Sequence, residues 1–322
     1  IPIEAQTELL HLFKATTAIV IDDSIRPAFF WGYTGAIYLD PAFLWLTNNE
    51  KQNVLKSADY RSDFGQQLQF IPRVRYMKGN DYASDYFPLN GDQERQLKDI
   101  LIDTSSLLFH ELAHANDYVP SEDHRAISSN QSYFDLISNQ INTNACIHQK
   151  LSVNFPLESD LWKSLGRVLF AGEDITEEQA ELSALDAGEA FEANSAISFY
   201  SYSTSREDTA QLFEVLMMKK HFDVDRDVMT IQKCELDSCD EELISWGQRG
   251  RLADPDVFTR VAFVTDMMLP TLDLTTFQAS LPNLIQIPEG THWNTLDYTS
   301  DTIKSTAIKE TSQRLYAPIP IL

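Results

Sequence analysis

Glycine is scarce in this 322-residue chain, at 11 residues. That excludes collagen-like repeats, Gly-rich linkers and sandwiches built from many tight turns. Basic residues are few as well: 25 Lys and Arg stand against 48 Asp and Glu, for a formal charge of −23. Phosphate backbones are bound by concentrated Lys and Arg, so nucleic acid is not an expected partner. An anionic membrane surface is disfavoured on the same ground. No stretch approaches the roughly 18 apolar residues of a membrane span. No basic-then-apolar leader opens the chain, and Ile1 is not an initiator methionine. The chain therefore reads as a mature or trimmed form, with an extracytoplasmic (secreted or periplasmic) location as the expectation. The three cysteines match neither a zinc ribbon nor a CxxC redox pair. Cys234 and Cys239 bracket the acidic loop CELDSC, where a small disulfide would suit an oxidising compartment and two reduced thiols a reducing one. Cys146 is left over and expected to be buried. GxSxG, GxGxxG and the P-loop are absent.

What is present describes a folded protein: 43% hydrophobic and 11% aromatic residues, in a length sufficient for a substantial core. Thr17 to Ile21 (TAIVI) and Ala36 to Leu39 (AIYL) read as short strands. Gln67 to Tyr76 alternates like a strand, and Pro72 demotes it to an edge or a bulge. From Gly91 the period changes. Apolar residues at Leu97, Ile100, Leu101, Leu107, Leu108 and Leu112 fall at helical spacing, and Pro120 supplies the stop. Further helices are expected at about 124–150, 158–170, 176–198, 205–221 and 255–268, one of them opened by a Thr176/Gln179 capping box. The expectation is one α+β domain over 1–322, mostly helical. Residues 1–90 form a mixed strand and irregular part with a small N-terminal sheet, and 91–322 a mainly helical part.

The centre of the long helix reads LLFHELAHANDYVP, in which His110-Glu111-Leu112-Ala113-His114 is HExxH. Residues i and i+4 share a helix face, so two imidazoles there converge on one ion. Zinc accepts nitrogen ligands and, in catalytic sites, leaves a position open to water. Glu111 follows the first ligand and can take that water's proton as general base. Chance produces roughly one HExxH per hundred chains of this composition. The bland alternative is a helix with two satisfied histidines and no metal.

A third ligand must come from elsewhere. The metzincin pattern requires histidine six residues after His114 and the aspzincin pattern aspartate; that position is Pro120, and His124 lies four residues too late. A glutamate on a later helix remains, either Glu207 in SREDTAQLFEVLMM or Glu181 in EEQAELSALD. Glu207 is preferred. Thr204 or Ser205 can cap its helix, and Ala210, Leu212, Phe213, Leu216 and Met217 offer an apolar face to pack on the HExxH helix. An ordinary acid in a first helical turn is the plain alternative. Asp117, three residues after His114, is a candidate to orient a ligand imidazole.

HELAHANDY together with STSREDTAQLFEVLM resembles the gluzincin metallopeptidases of the anthrax lethal factor type, over about 40 residues in two blocks. Asp208 and Thr209 depart from the aromatic pair usual after that family's ligand, and the gap between the blocks is longer here. The resemblance implies a zincin-like metallopeptidase domain with an HExxH active-site helix. It implies Zn²⁺ held by His110, His114 and Glu207, Glu111 as base, and an oxyanion-stabilising tyrosine at Tyr200, with Tyr202 close by. The expected function is zinc-dependent hydrolysis of peptide or protein substrates, an extended peptide lying on an edge strand such as AIYL. The alternative is a zinc-binding or peptide-binding protein that keeps the fold without catalysis.

Other signals read as structural. Asp223, Asp225 and Asp227 form DxDxD, but Val228 and Cys234 stand where a calcium loop needs glycine and glutamate, which leaves a solvated acidic turn. Phe29, Phe30, Trp31 and Tyr33 read as core more readily than as a groove. His11, His124, His148, His221 and His292 are isolated and read as structural.

Overall fold

The structure, a computed structural model, describes residues 3–54, 59–125, 127, 130–233 and 243–298. Helix α1 (Ile3–Leu12) precedes strands β1 (Ala18–Ile21), β2 (Phe29–Trp31) and β3 (Ala36–Leu39), then α2 (Asn48–Lys51), β4 (Phe70–Lys78) and β5 (Asp81–Tyr82). The long helix α3 (Leu97–Tyr118) leads into α4 (Tyr133–Asn142), α5 (Ile147–Asn154), α6 (Asp160–Ala171), α7 (Glu177–Ala180), α8 (Ala184–Glu192) and α9 (Ser205–Phe222). Strands β6 (Asp225–Gln232) and β7 (Ile244–Arg249), helices α10 (Pro255–Met268) and α11 (Leu274–Ser280), and strand β8 (Ile285–Gln286) complete the fold. The class is α+β, with about 48% helix.

The caps that end these helices are local. The Asp99 carboxylate accepts from the Gln96 N–H at 2.7 Å and opens α3. The Thr204 hydroxyl accepts from the Glu207 N–H at 3.2 Å and opens α9, while Asp223, at φ 52° in the left-handed region, ends it. Between them, α3 and α9 form the centre of the larger core. Phe109, Leu112 and Ala113 pack with Leu212, Phe213, Leu216 and Met217, and α5 and α10 close over them through Leu151, Val257 and Val261. Trimming a fully buried leucine such as Leu112 to alanine costs about 2–5 kcal/mol in such a core.

The small sheet runs β1-β3-β2, with β1 parallel and β2 antiparallel to β3. AIYL is therefore its central strand and has no free edge for a peptide, contrary to expectation. The larger sheet runs β5-β4-β6-β7-β8. Strand β4 pairs along its length with β6, and β5 covers only Met77 and Lys78. Phe70–Tyr76 thus keeps an open side among the described residues, which is where a strand tolerates Pro72.

The mainly helical part also contributes β6, β7 and β8. Several expectations are corrected. DxDxD is not a solvated turn: Asp225 opens β6, and Asp227 is fully buried, accepting from Arg75 Nε at 2.9 Å and from Arg249 Nε at 2.6 Å. The helix expected over 124–150 breaks into α4 and α5, and that over 176–198 into α7 and α8. Phe30 joins the core, whereas Tyr33 is half exposed and stacks on Phe134. Cys146 is buried and free; the Cys234–Cys239 loop lies outside the described residues. Among the described residues no helix is long and apolar enough to cross a membrane.

Candidate metal centre

Helix α3 presents His110 and His114 on one face, and α9 lays Glu207 across them from its first turn. His110 Nε2 stands 3.0 Å from Glu207 Oε2 and 3.2 Å from His114 Nε2, and His114 Nε2 stands 3.5 Å from Glu207 Oε2. All three side chains are buried. Donors bound at about 2.0–2.1 Å in a tetrahedral site stand roughly 3.3 Å from one another, so this triangle already has the dimensions of a face of a metal polyhedron. Two imidazole nitrogens and one carboxylate oxygen suit a borderline divalent cation. Together the three residues could hold a metal ion.

Comparison of the chain with protein-family models, curated proteins and solved structures finds no match.

His110 is gripped on both ring nitrogens. Its Nδ1 donates to Glu214 Oε2 at 3.2 Å, an arrangement that turns the Nε2 lone pair toward the triangle. Glu214 is fully buried and itself held. Its Oε1 accepts from Tyr76 Oη at 2.7 Å, from Ser106 Oγ at 2.5 Å and from Arg226 Nη2 at 2.7 Å, and its Oε2 accepts from Gln211 Nε2 at 2.8 Å. The electrostatics follow. Burial opposes a charge on His110, but Glu207 and Glu214 outweigh it and hold the imidazolium up to about 10. Burial would raise both glutamates; His114 and His110 nevertheless hold Glu207 at about 2, and Arg226 and His110 hold Glu214 at about 2. Burial pushes His114 down.

Glu111 is almost wholly buried, and burial pushes its carboxyl up to about 8. The backbone N–H of Phe30 on β2 donates to it, while its Oε2 has no hydrogen-bond partner among the described residues. A buried carboxylate oxygen left open costs free energy, and such groups mark chemistry or a missing ligand. Glu111 and His110 border a cavity of about 610 Å³. Phe70, Ile71 and Pro72 from the open stretch of β4 line the same cavity.

The other candidates are distributed as follows. Tyr200 lies over the His110 ring, with centroids 6.3 Å apart and planes at 26°. Gly166 permits this approach of the 199–202 turn to α6, because a Cβ there would stand 2.3 Å from the Tyr202 carbonyl oxygen. The Tyr202 ring packs instead against Trp162 and Phe191 in a second core cluster. Glu181 caps the end of α7, is exposed, and stands outside the metal-holding group. Asp117 does not orient a ligand; it accepts from His148, from Nδ1 at 2.6 Å and from the backbone N–H at 2.7 Å. Asp208 forms a buried ion pair with Arg260 on α10, which anchors the first turn of α9. His11, His124 and His221 bond Ser121, Asn116 and Glu8. Sequence reading passed over Glu214 and Gln211. The signal was available: Glu207, Gln211 and Glu214 stand at i, i+4 and i+7, a polar stripe on an otherwise apolar buried helix.

Proposed function

We propose that this protein is a zinc-dependent peptidase of zincin type. The observation that carries the reading is the convergence of His110, His114 and Glu207 to within 3.5 Å, with Glu111 Oε2, unpartnered among the described residues, beside them at a cavity wall. His110, His114 and Glu207 would hold the ion. Zinc bound there would supply Lewis acidity, polarising a carbonyl and making a water more acidic. Glu111 accepts the proton of the attacking water on Oε2 and delivers it to the leaving amine. The Phe30 N–H also donates to the Glu111 carboxyl. Tyr200, stacked on His110, is the candidate donor to the developing oxyanion. An extended substrate would pair with the open side of β4 at Phe70 and Ile71.

The test is elemental analysis of wild type and Glu207→Ala after zinc loading, joined to a peptide-library digest of wild type and Glu111→Gln. Near-stoichiometric zinc lost in Glu207→Ala, with cleavage lost in Glu111→Gln and zinc retained, is the expected result. Zinc without turnover in the wild type would leave a non-catalytic zinc-binding or peptide-binding protein. A wild type that takes up no zinc overturns the reading.

A further inference from the structure

We infer that Glu214 is the positioning residue of the metal centre, holding His110 in its ligating orientation from the central sheet; the inference rests on the function proposed above. Glu214 stands two turns after Glu207 on α9, so the two carboxylates meet opposite sides of one imidazole, at 3.0 Å on Nε2 and 3.2 Å on Nδ1. Gln211, one turn after Glu207, stands nearer in the chain but cannot take this role. Arg226 donates to its carbonyl oxygen, so only its amide faces the site, and that amide donates to Glu214 Oε2 at 2.8 Å. The Gln211 amide nitrogen also stands 3.2 Å from His110 Nδ1, as Glu214 Oε2 does, but an amide donor cannot accept the Nδ1 proton, so that proton goes to the carboxylate one turn further on.

Gln211 on its own helix and Ser106 on α3 each donate to Glu214, and the sheet adds the two remaining partners. Tyr76 on β4 and Arg226 on β6 are register partners, and both reach Glu214 Oε1, at 2.7 Å each. Arg226 Nη2 also donates to Tyr76 Oη at 2.5 Å, which closes a ring of two buried groups and one half-buried one. A carboxylate paired with a guanidinium stays charged and remains a strong acceptor for Nδ1–H. The orientation of a ligand on α3 is thereby tied to two strands more than a hundred residues apart in sequence, one of which carries the open side that borders the cavity. Outer partners of this kind govern metal affinity without touching the ion.

The test compares wild type and Glu214→Gln in zinc affinity, by competition with a chromophoric chelator, and in the visible spectrum of the cobalt(II)-loaded protein. Melting of the metal-free proteins is recorded alongside. Glu214→Gln keeps shape and loses charge; it should bind zinc about 10- to 100-fold more weakly and shift the cobalt spectrum. If Glu214→Gln does not fold, Tyr76→Phe, which removes one donor and leaves the ion pair, should weaken zinc binding roughly threefold. Wild-type affinity and an unchanged cobalt spectrum in the folded variant, with only its melting altered, would make Glu214 a structural ion-pair partner and overturn the inference. A wild type that binds no zinc would instead fail the proposed function, so the two failures are told apart.

Discussion

The larger sheet carries a buried arginine–carboxylate cluster on each face, and the two are built from adjacent register pairs. Arg75 and Asp227 point one way; Tyr76 and Arg226 point the other. On the first face the cluster closes around one carboxylate. Asp227 takes both Arg75 and Arg249, and their remaining donors reach the carbonyls of Trp293, Thr295 and Leu296. On the second face, Glu214 is equally satisfied, but the chain of bonds ends at the donor atoms of His110, His114 and Glu207 and in an oxygen of Glu111 with no partner among the described residues. Buried charge that only stabilises a fold consumes its own bonding capacity. Buried charge that serves chemistry leaves some unspent, at a cost borne by the well-packed helices around it.

The sharpest way to break this contrast is at Glu111. Glu111→Gln should lower peptide hydrolysis by about 10²–10⁴-fold while zinc stoichiometry and melting temperature hold, measured on one preparation. Parallel loss of stability would mean that its open oxygen is structural after all. The opposite behaviour is expected of Asp227→Asn. Two buried guanidinium groups lose their counter-ion, costing about 3–5 kcal/mol in urea unfolding, while zinc binding per folded molecule is unchanged. Next comes pH. Metal-free His110 keeps its proton up to about 10, so zinc uptake must release it. Affinity should then rise about tenfold per pH unit across roughly pH 6 to 8 in calorimetric titration, and a flat profile would contradict the double carboxylate grip. The smallest effect lies far from both clusters. Glu8 on α1 accepts from His221 at 2.6 Å and Lys220 at 2.8 Å on α9. Burial works against its charge, but those two partners hold its pKa below the usual value. Its stabilisation is therefore fully present above the unfolded value near 4.5 and is lost as pH falls through the lowered one. Glu8→Gln should cost about 1 kcal/mol at neutral pH. Wild type and variant should converge in melting temperature as the pH drops below that range.

Legibility in the sequence divides along the same line. Helices α3, α6, α9 and α10 could be read because periodicity, caps and stops are local, and Thr204 caps α9 as its hydroxyl and position suggest. His110 and His114 follow from a spacing that any helix enforces. Strands β6 and β7 could not be read in the same way. Their buried faces hold Arg226, Asp227 and Arg249, residues that local reading assigns to solvent, and only partners far along the chain make them tolerable inside. Asp117 shows the same limit: its position on α3 suits it to orient a ligand, but α5 brings His148 to it first.

By itself, then, the sequence determined the helices and their ends, the pair of imidazoles on one face of α3, and the acid that follows the first of them, since each of these depends on neighbours within two turns. Only the tertiary structure decided that Glu207 completes the triangle where Glu181 does not, that Glu214 holds His110, and that the open side of the sheet belongs to β4 and not to AIYL. Those outcomes depend on how α9 docks against α3 and how β4 pairs with β6, contacts between residues 97 or more positions apart. They are set by which faces can be buried together, a quantity that no local window of residues contains.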